Sequence, residues 1–228
     1  MNPRIVSEIS PVLLVGGGAI ALNVLRCALE ENVSVVAADG GALPLLELGH
    51  MPDAVIGDLD SLEAADLARL PAGRVHHIAE QDSTDFDKCL RAISAPLVLG
   101  YGFLGARLDH QLAAMTVLAR HPDRRCILVG AEDVVLLVPP ALALDLPVGM
   151  RLSLYPLGPV TGQSEGLRWP IGGLRFAPHD RVGTSNEVTG PVQLSFDAPR
   201  MLLILPAEAL MALRSALEAA PATWPARA

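Results

Sequence analysis

Val12–Gly41 reads VLLVGGGAIALNVLRCALEENVSVVAADGG, and this stretch decides the fold class. Val12 to Val15 is an apolar run that stops at Gly16-Gly17-Gly18. Ala19 to Glu31 has helical spacing, with Ile20, Val24, Cys27 and Ala28 on one stripe. Val33 to Ala38 is rich in β-branched residues and stops at Asp39-Gly40-Gly41. Two largely apolar, buried-looking strands joined by a helix predict a parallel sheet covered on both faces.

The alternation continues outward to about residue 138. Leu43 to Leu48 is helical up to Gly49, and Ala54 to Ile56 is a short strand ending at Gly57-Asp58. Arg74 to Ala79 and Leu97 to Leu99 are further strands, and Thr84 to Ile93 is a helix with Phe86, Cys89, Leu90 and Ile93 on its inner stripe. A helix from Leu108 to about Arg120 follows, and Cys126–Val129 and Val134–Val138 close the series. Pro139-Pro140 breaks the rhythm. Beyond it come short strands (Arg151–Tyr155, Val192–Phe196, Met201–Leu205) punctuated by Gly158-Pro159, Gly172-Gly173 and Gly190-Pro191, then a helical tail from Ala207 to about Ala219. The expectation is a Rossmann-like α/β nucleotide domain over 1–139. A small antiparallel β domain with a helical tail follows over 140–228.

Of the 228 residues, 51% are hydrophobic and only 4% aromatic, so Leu, Val, Ile and Ala must fill a large core. Seventeen cations against 25 anions give a net charge of −8, which argues against a nucleic-acid or anionic-membrane surface. Cys27, Cys89 and Cys126 form no metal-binding pair and read as small core residues of a reducing compartment. Arg4 and Glu8 before the first apolar run argue against a signal peptide, and no apolar run is long enough to span a membrane. A cytoplasmic protein is expected.

Ligands of a parallel α/β sheet bind beyond the carboxyl ends of its strands, and there the acids collect. Nine of the fourteen aspartates lie between Asp39 and Asp109. Gly16-x-Gly18-x-x-Ala21 followed by Asp39 fits a dinucleotide fingerprint, which opens the alternative of an NAD(H)- or nucleotide-binding module; an ordinary Gly-rich turn fits as well. Asp58 and Asp60 flank Leu59 after a strand and can aim two carboxylates at one divalent cation; helix capping by Asp60 or Ser61 is the plainer reading. Asp85 and Lys88 are three apart on one helix flank, an acid for a metal and a cation for a phosphate. Lys88 is the sole lysine among seventeen cations. Gly100 to His110 is a strand, a Gly-rich loop and a helix start, a phosphate cradle to which Arg107 adds a bidentate cation.

In this order the motifs resemble the thiamine pyrophosphokinase family. The strings are Asp39-Gly40-Gly41-Ala42, Pro52-Asp53-x-x-Ile56-Gly57-Asp58-x-Asp60-Ser61 and Asp82-Ser83-Thr84-Asp85-Phe86-x-Lys88. Gly105-x-Arg107-x-Asp109-His110, Glu165 to Pro170 and Thr184-Ser185-Asn186-Glu187 follow. Leu43 and Ala106 depart from the family pattern, standing where Asn and a second Gly are usual. The resemblance implies a nucleotide domain followed by a β-sandwich, a homodimer, and transfer of diphosphate from Mg²⁺-ATP to thiamine with AMP leaving. It implies Asp58, Asp60 and Asp85 as metal ligands, with Asp109, Lys88 and Arg107 completing the catalytic set. Asp39, Gly40, Gln81, Asp82, Thr84, Gly105 and His110 fall to ATP. Trp169, Ser185 and Asn186 fall to thiamine, at the subunit interface. A diphosphokinase acting on another alcohol, such as a pterin, is the enzymatic alternative.

Overall fold

The structure is a computed structural model and describes residues 4–31, 33–105 and 107–226. They divide into two units, one running up to Val117 with Leu128–Ala131, the other comprising Leu118–Ile127 and the chain from Glu132 on.

The first unit begins with β1 (Val6–Ser7), β2 (Val12–Val15), α1 (Leu22–Leu29), β3 (Ser34–Ala38), α2 (Ala42–Glu47) and β4 (Ala54–Gly57). It continues with α3 (Ala64–Leu67), β5 (Val75–His77), α4 (Asp85–Ala92), β6 (Ile93–Ser94) and β7 (Val98–Tyr101), and the division of units falls within α5 (Leu108–Arg120) and again within β8 (Cys126–Val129). β2 pairs in parallel with β3 on one side and β7 on the other, and β3, β4 and β5 continue in parallel. Every residue of β2 and β4 is buried, as unbroken apolar runs predict. Chain order reverses about β2, and the carboxyl ends of strands at such a switch point are where open α/β sheets bind ligands. β1 pairs with β6 in a separate parallel ribbon.

The second unit is antiparallel. It contains β9 (Asp133–Leu137), β10 (Ala141–Leu144), β11 (Arg151–Pro156), β12 (Val160–Leu167), β13 (Arg175–Phe176), β14 (Gly183–Phe196), β15 (Met201–Pro206) and α6 (Leu210–Ala219). β11 pairs with β14 and β15, β15 with β9, and β12 with β13. β14 pairs with β11 through its first residues and with β10 and β12 through its later ones. β10 alternates exposed and buried, and α6 packs on it through a face that includes buried Leu213 and Leu217.

Three expectations are corrected. β9 does not extend the parallel series. It runs antiparallel to β15, with Leu137 opposite Leu202, and both strands lie in the second unit, which includes residues before Pro139-Pro140. α1 starts at Leu22 rather than Ala19 and buries Leu25 and Ala28; Cys27 lies off that face and is exposed, while Cys89 and Cys126 are buried. β14 is much longer than its apolar half, because its first residues are the polar Thr184 to Glu187. Among the described residues no helix is long and apolar enough to cross a membrane.

Candidate active site

The ends of β3 and β4 and the first turn of α4 build one acidic site. Asp39 opens a short 3-10 turn after β3 and is buried; Asp58 and Asp60 follow β4. Asp39, Asp58 and Asp60 each bring a carboxylate oxygen within 4.8 Å of the others. Asp39 Oδ2 accepts the Ser61 amide at 3.2 Å, and Asp60 Oδ1 accepts the Ser61 hydroxyl at 3.1 Å. Asp58 Oδ2 accepts Gln81 Nε2 at 2.9 Å and Lys88 Nζ at 3.1 Å.

Two backbone outliers lie in this cluster. Asp39 has φ 43° and Leu59, between the two aspartates, has φ 64°. Left-handed backbone at a non-glycine residue costs about 1 kcal/mol or more and persists where the surroundings enforce it, typically at functional sites. Gly57 is needed for close approach rather than for turning. A Cβ there would stand 2.8 Å from Asp39 Cβ and 3.0 Å from Asp85 Oδ1. Gly41 is tighter still, since its Cβ would lie 1.9 Å from the Val15 carbonyl oxygen.

Among the described residues Lys88 is the largest fully buried side chain. Thr84 caps α4, its hydroxyl accepting the Asp87 amide at 3.3 Å, and Phe86 and Leu90 sink the helix onto the sheet. Phe86 also packs on Phe103, with ring centroids 4.4 Å apart. Lys88 is thereby aimed between Asp58 and Asp85, reaching Asp85 Oδ1 at 3.0 Å. Burial alone would lower the Lys88 ammonium pKa, but the two carboxylates outweigh it and raise it, so the group stays charged. Burial pushes Asp58 upward, yet hydrogen bonds from Lys88 and Gln81 and the Lys88 charge hold it below its ordinary value. Asp39 has no such cation; burial raises its carboxyl, with Asp85 and Asp60 adding to the rise and Ser61 opposing it.

The donor set suits a hard divalent cation. Asp39 Oδ1 and Asp58 Oδ1 are buried without a hydrogen-bond partner among the described residues, and such orphaned acceptors are costly unless a ligand satisfies them. Asp39 joins Asp58 and Asp60 in this group, whereas Asp85 is turned toward Lys88. Sequence reasoning placed Asp39 beside the nucleotide only; the acid at a strand end was visible, but not its turn toward Asp58.

The other expected nucleotide residues are less gathered. Gln81 bonds Asp58, Gly40 is buried in the turn after β3, and Asp82 is exposed before α4. Gly105 takes φ 112°, and Ala106 lies outside the described residues. Arg107 and Asp109 pair with each other, Nη2 to Oδ2 at 2.6 Å, and both are exposed, as is His110. No hydrogen bond or ion pair among the described residues joins Arg107 or Asp109 to the Asp58 cluster. Leu43 is exposed on α2.

The dinucleotide alternative fails on geometry. The Gly16 and Gly18 amides donate to the Tyr101 and Gly102 carbonyls at 2.8 and 3.0 Å, so they are not free for a pyrophosphate, and no helix begins until Leu22.

The second unit collects the three residues assigned to the acceptor, on β14 and the turn after β12. Trp169 is 54% exposed, with the Arg168 guanidinium 5.1 Å from its ring centroid. Asn186 is buried. Its Oδ1 accepts the Trp169 amide at 3.2 Å and its Nδ2 donates to the Trp169 carbonyl at 2.7 Å, clamping that residue's backbone. Ser185 has φ 62°, a third non-glycine outlier, and its amide donates to Ser153 Oγ at 3.0 Å.

Comparison with known proteins bears on the same residues. Residues 25–129, which hold the carboxylate cluster, match a family described as thiamin pyrophosphokinase, catalytic domain. Thiamine pyrophosphokinase 1 of Arabidopsis thaliana is 28% identical over 187 residues, covering 67% of this chain and 70% of that protein. The crystal structure of thiamin pyrophosphokinase from Geobacillus thermodenitrificans is 25% identical, covers 86% of this chain and 96% of its own, and superposes with a TM-score of 0.70. Thiamin pyrophosphokinase from Candida albicans shares the fold at a TM-score of 0.72, covering 90% and 94% of the two chains at 16% identity. The chain is thus similar to thiamine pyrophosphokinases both in its mixed α/β fold and over the residues that hold its own acidic cluster.

Proposed function

We propose that the chain transfers a diphosphate group from ATP to the hydroxyl of thiamine, giving thiamine diphosphate and AMP. The observation that carries this is the acidic cluster with two orphaned carboxylate oxygens beside a buried lysine, within the residues matching the catalytic domain. Phosphoryl-type transfer needs positioning and charge neutralisation more than a strong base. Asp58 and Asp60, with Asp39, would hold Mg²⁺; bound there, the ion would neutralise charge on the phosphate oxygens. Asp85 belongs to the same charge cluster through Lys88. Lys88, Gln81, Thr84 and Arg107 are assigned as donors to the phosphates, with Asp82, Gly40, Gly105, Asp109 and His110 lining the nucleotide. Arg107 and Asp109 must exchange their mutual pair for contacts with ATP.

Trp169, Ser185 and Asn186 are assigned to thiamine, whose flat rings and cationic thiazolium suit an exposed indole in a net-negative protein. The parallel strand order supports a Rossmann-like nucleotide domain, and the shift of partners along β14 supports a β-sandwich later in the chain. A cytoplasmic homodimer with thiamine at the subunit interface completes the reading, on family resemblance. The test is thiamine-dependent release of AMP from ATP in the presence of Mg²⁺, abolished by EDTA. ADP as the stoichiometric product would refute diphosphate transfer.

A further inference from the structure

We propose that Ser153, on β11, is a positioning residue for the acceptor side of the site: its hydroxyl holds the bulge that presents Ser185 and Asn186. The proposal rests on the assignment of Trp169, Ser185 and Asn186 to thiamine. In the β11–β14 ladder Leu152 faces Asn186, but Leu154 faces Gly183. One residue, Ser153, therefore opposes two, Thr184 and Ser185. Such a bulge breaks the backbone ladder locally and re-aims a side chain. Here it requires φ 62° at Ser185, a conformation that serine does not adopt unaided.

The Ser185 amide would lose its ladder acceptor at this point, and Ser153 Oγ replaces it at 3.0 Å. Ser153 is itself fixed. It is 5% exposed, lies between the fully buried Leu152 and Leu154, and pairs on its other edge with Ile204 of β15. The effect passes along the chain, because Asn186 follows the bulge and clamps the Trp169 backbone through both amide atoms. Without the hydroxyl, β14 can regain regular pairing only by sliding, which turns alternate side chains to the opposite face.

The test is steady-state kinetics of the full chain carrying Ser153→Ala and Ser153→Thr, with Asn186→Ala as reference. Ser153→Ala should raise the KM for thiamine by about fivefold or more, the worth of one hydrogen bond left unmade, with the KM for Mg-ATP within about twofold. Ser153→Thr, which keeps the acceptor, should restore the thiamine KM. Ser153→Cys, close in volume and a weak acceptor, replaces alanine if that variant does not fold, and should also raise the thiamine KM. A purely structural serine would lower the melting temperature and leave the ratio of the two KM values unchanged, which would overturn the proposal. A thiamine KM moved by Asn186→Ala but not by Ser153→Ala overturns the positioning role and leaves the acceptor site standing. One moved by neither overturns both.

Discussion

Lys88 Nζ lies 3.1 Å from Asp58 Oδ2, on a side chain only 1% exposed. The two residues are thirty apart in sequence, and α4 and β4 bring them together. A buried ammonium is tolerated only with acceptors in place, so Lys88 and Asp58 hold one another in the ionised state, and Asp85 Oδ1 accepts a hydrogen bond from the same ammonium. ATP and a metal ion would enter an arrangement whose charges are already set.

Lys88→Arg should be damaging although it conserves charge. A planar guanidinium cannot occupy the volume of a compact ammonium held between two carboxylates. We expect kcat to fall by at least about tenfold, and Lys88→Met to cost more in both kcat and melting temperature. Activity of Lys88→Arg within about twofold of wild type would show that the ammonium geometry is immaterial.

The two aspartates should respond oppositely to pH in the metal-free protein. Asp58 titrates below its ordinary value in the folded state, so its contribution to stability is present above about pH 4 and is lost as pH falls through the folded pKa. Asp58→Asn should therefore melt lower than wild type at neutral pH, with the gap closing in acid. Asp39 titrates above its ordinary value, so its ionisation destabilises the fold as pH rises. Asp39→Asn should melt at or above wild type near neutrality, with the difference vanishing in acid. Both should lower kcat by about two orders of magnitude or more, since each removes charge from the proposed metal site. Melting curves in EDTA from pH 3 to 8, beside kinetics with Mg²⁺, check both; parallel pH curves for the two variants would contradict the assigned environments.

Gly57→Ala should lower activity by about tenfold or more, because its Cβ would press on Asp39 and Asp85. Gly73→Ala is the control: nothing lies within 4 Å of its Cβ, and the exposed site should tolerate the change. Equal kinetics for the two variants would mean that the approach of β4 to Asp39 does not matter.

Much of this was legible in the sequence because it rests on local pattern. The unbroken apolar runs at Val12–Val15 and Ala54–Ile56 announced buried parallel strands, and Thr84 announced the start of α4. What escaped depends on long-range pairing. Val134–Val138 has the composition of either kind of strand, and only its partner β15 makes it antiparallel. The early half of β14 is polar and turn-like, so neither its strand nor its bulge could be read before Ser153 was seen opposite. Asp39 likewise became a member of the carboxylate group only through a left-handed backbone that its residue type does not predict.

Trp169→Ala should raise the KM for thiamine by about fivefold or more while changing that for ATP little, as loss of an aromatic face under a cation implies. The ring is exposed, so its truncation opens no core cavity. An equal rise in both KM values, or a clear loss of melting temperature, would mark Trp169 as structural.

The central claim is that a whole diphosphate moves to thiamine, and the fate of label in ATP tests it most directly. The protein is incubated with Mg²⁺, thiamine and ATP labelled separately at the β- and γ-phosphorus. Attack of the thiamine hydroxyl on the β-phosphorus forms the new O–P bond and breaks the α–β bridge, so both labels should appear in thiamine diphosphate and unlabelled AMP should accumulate in equal amount. Recovery of the γ-label in thiamine monophosphate, with the β-label left in ADP, would contradict the account.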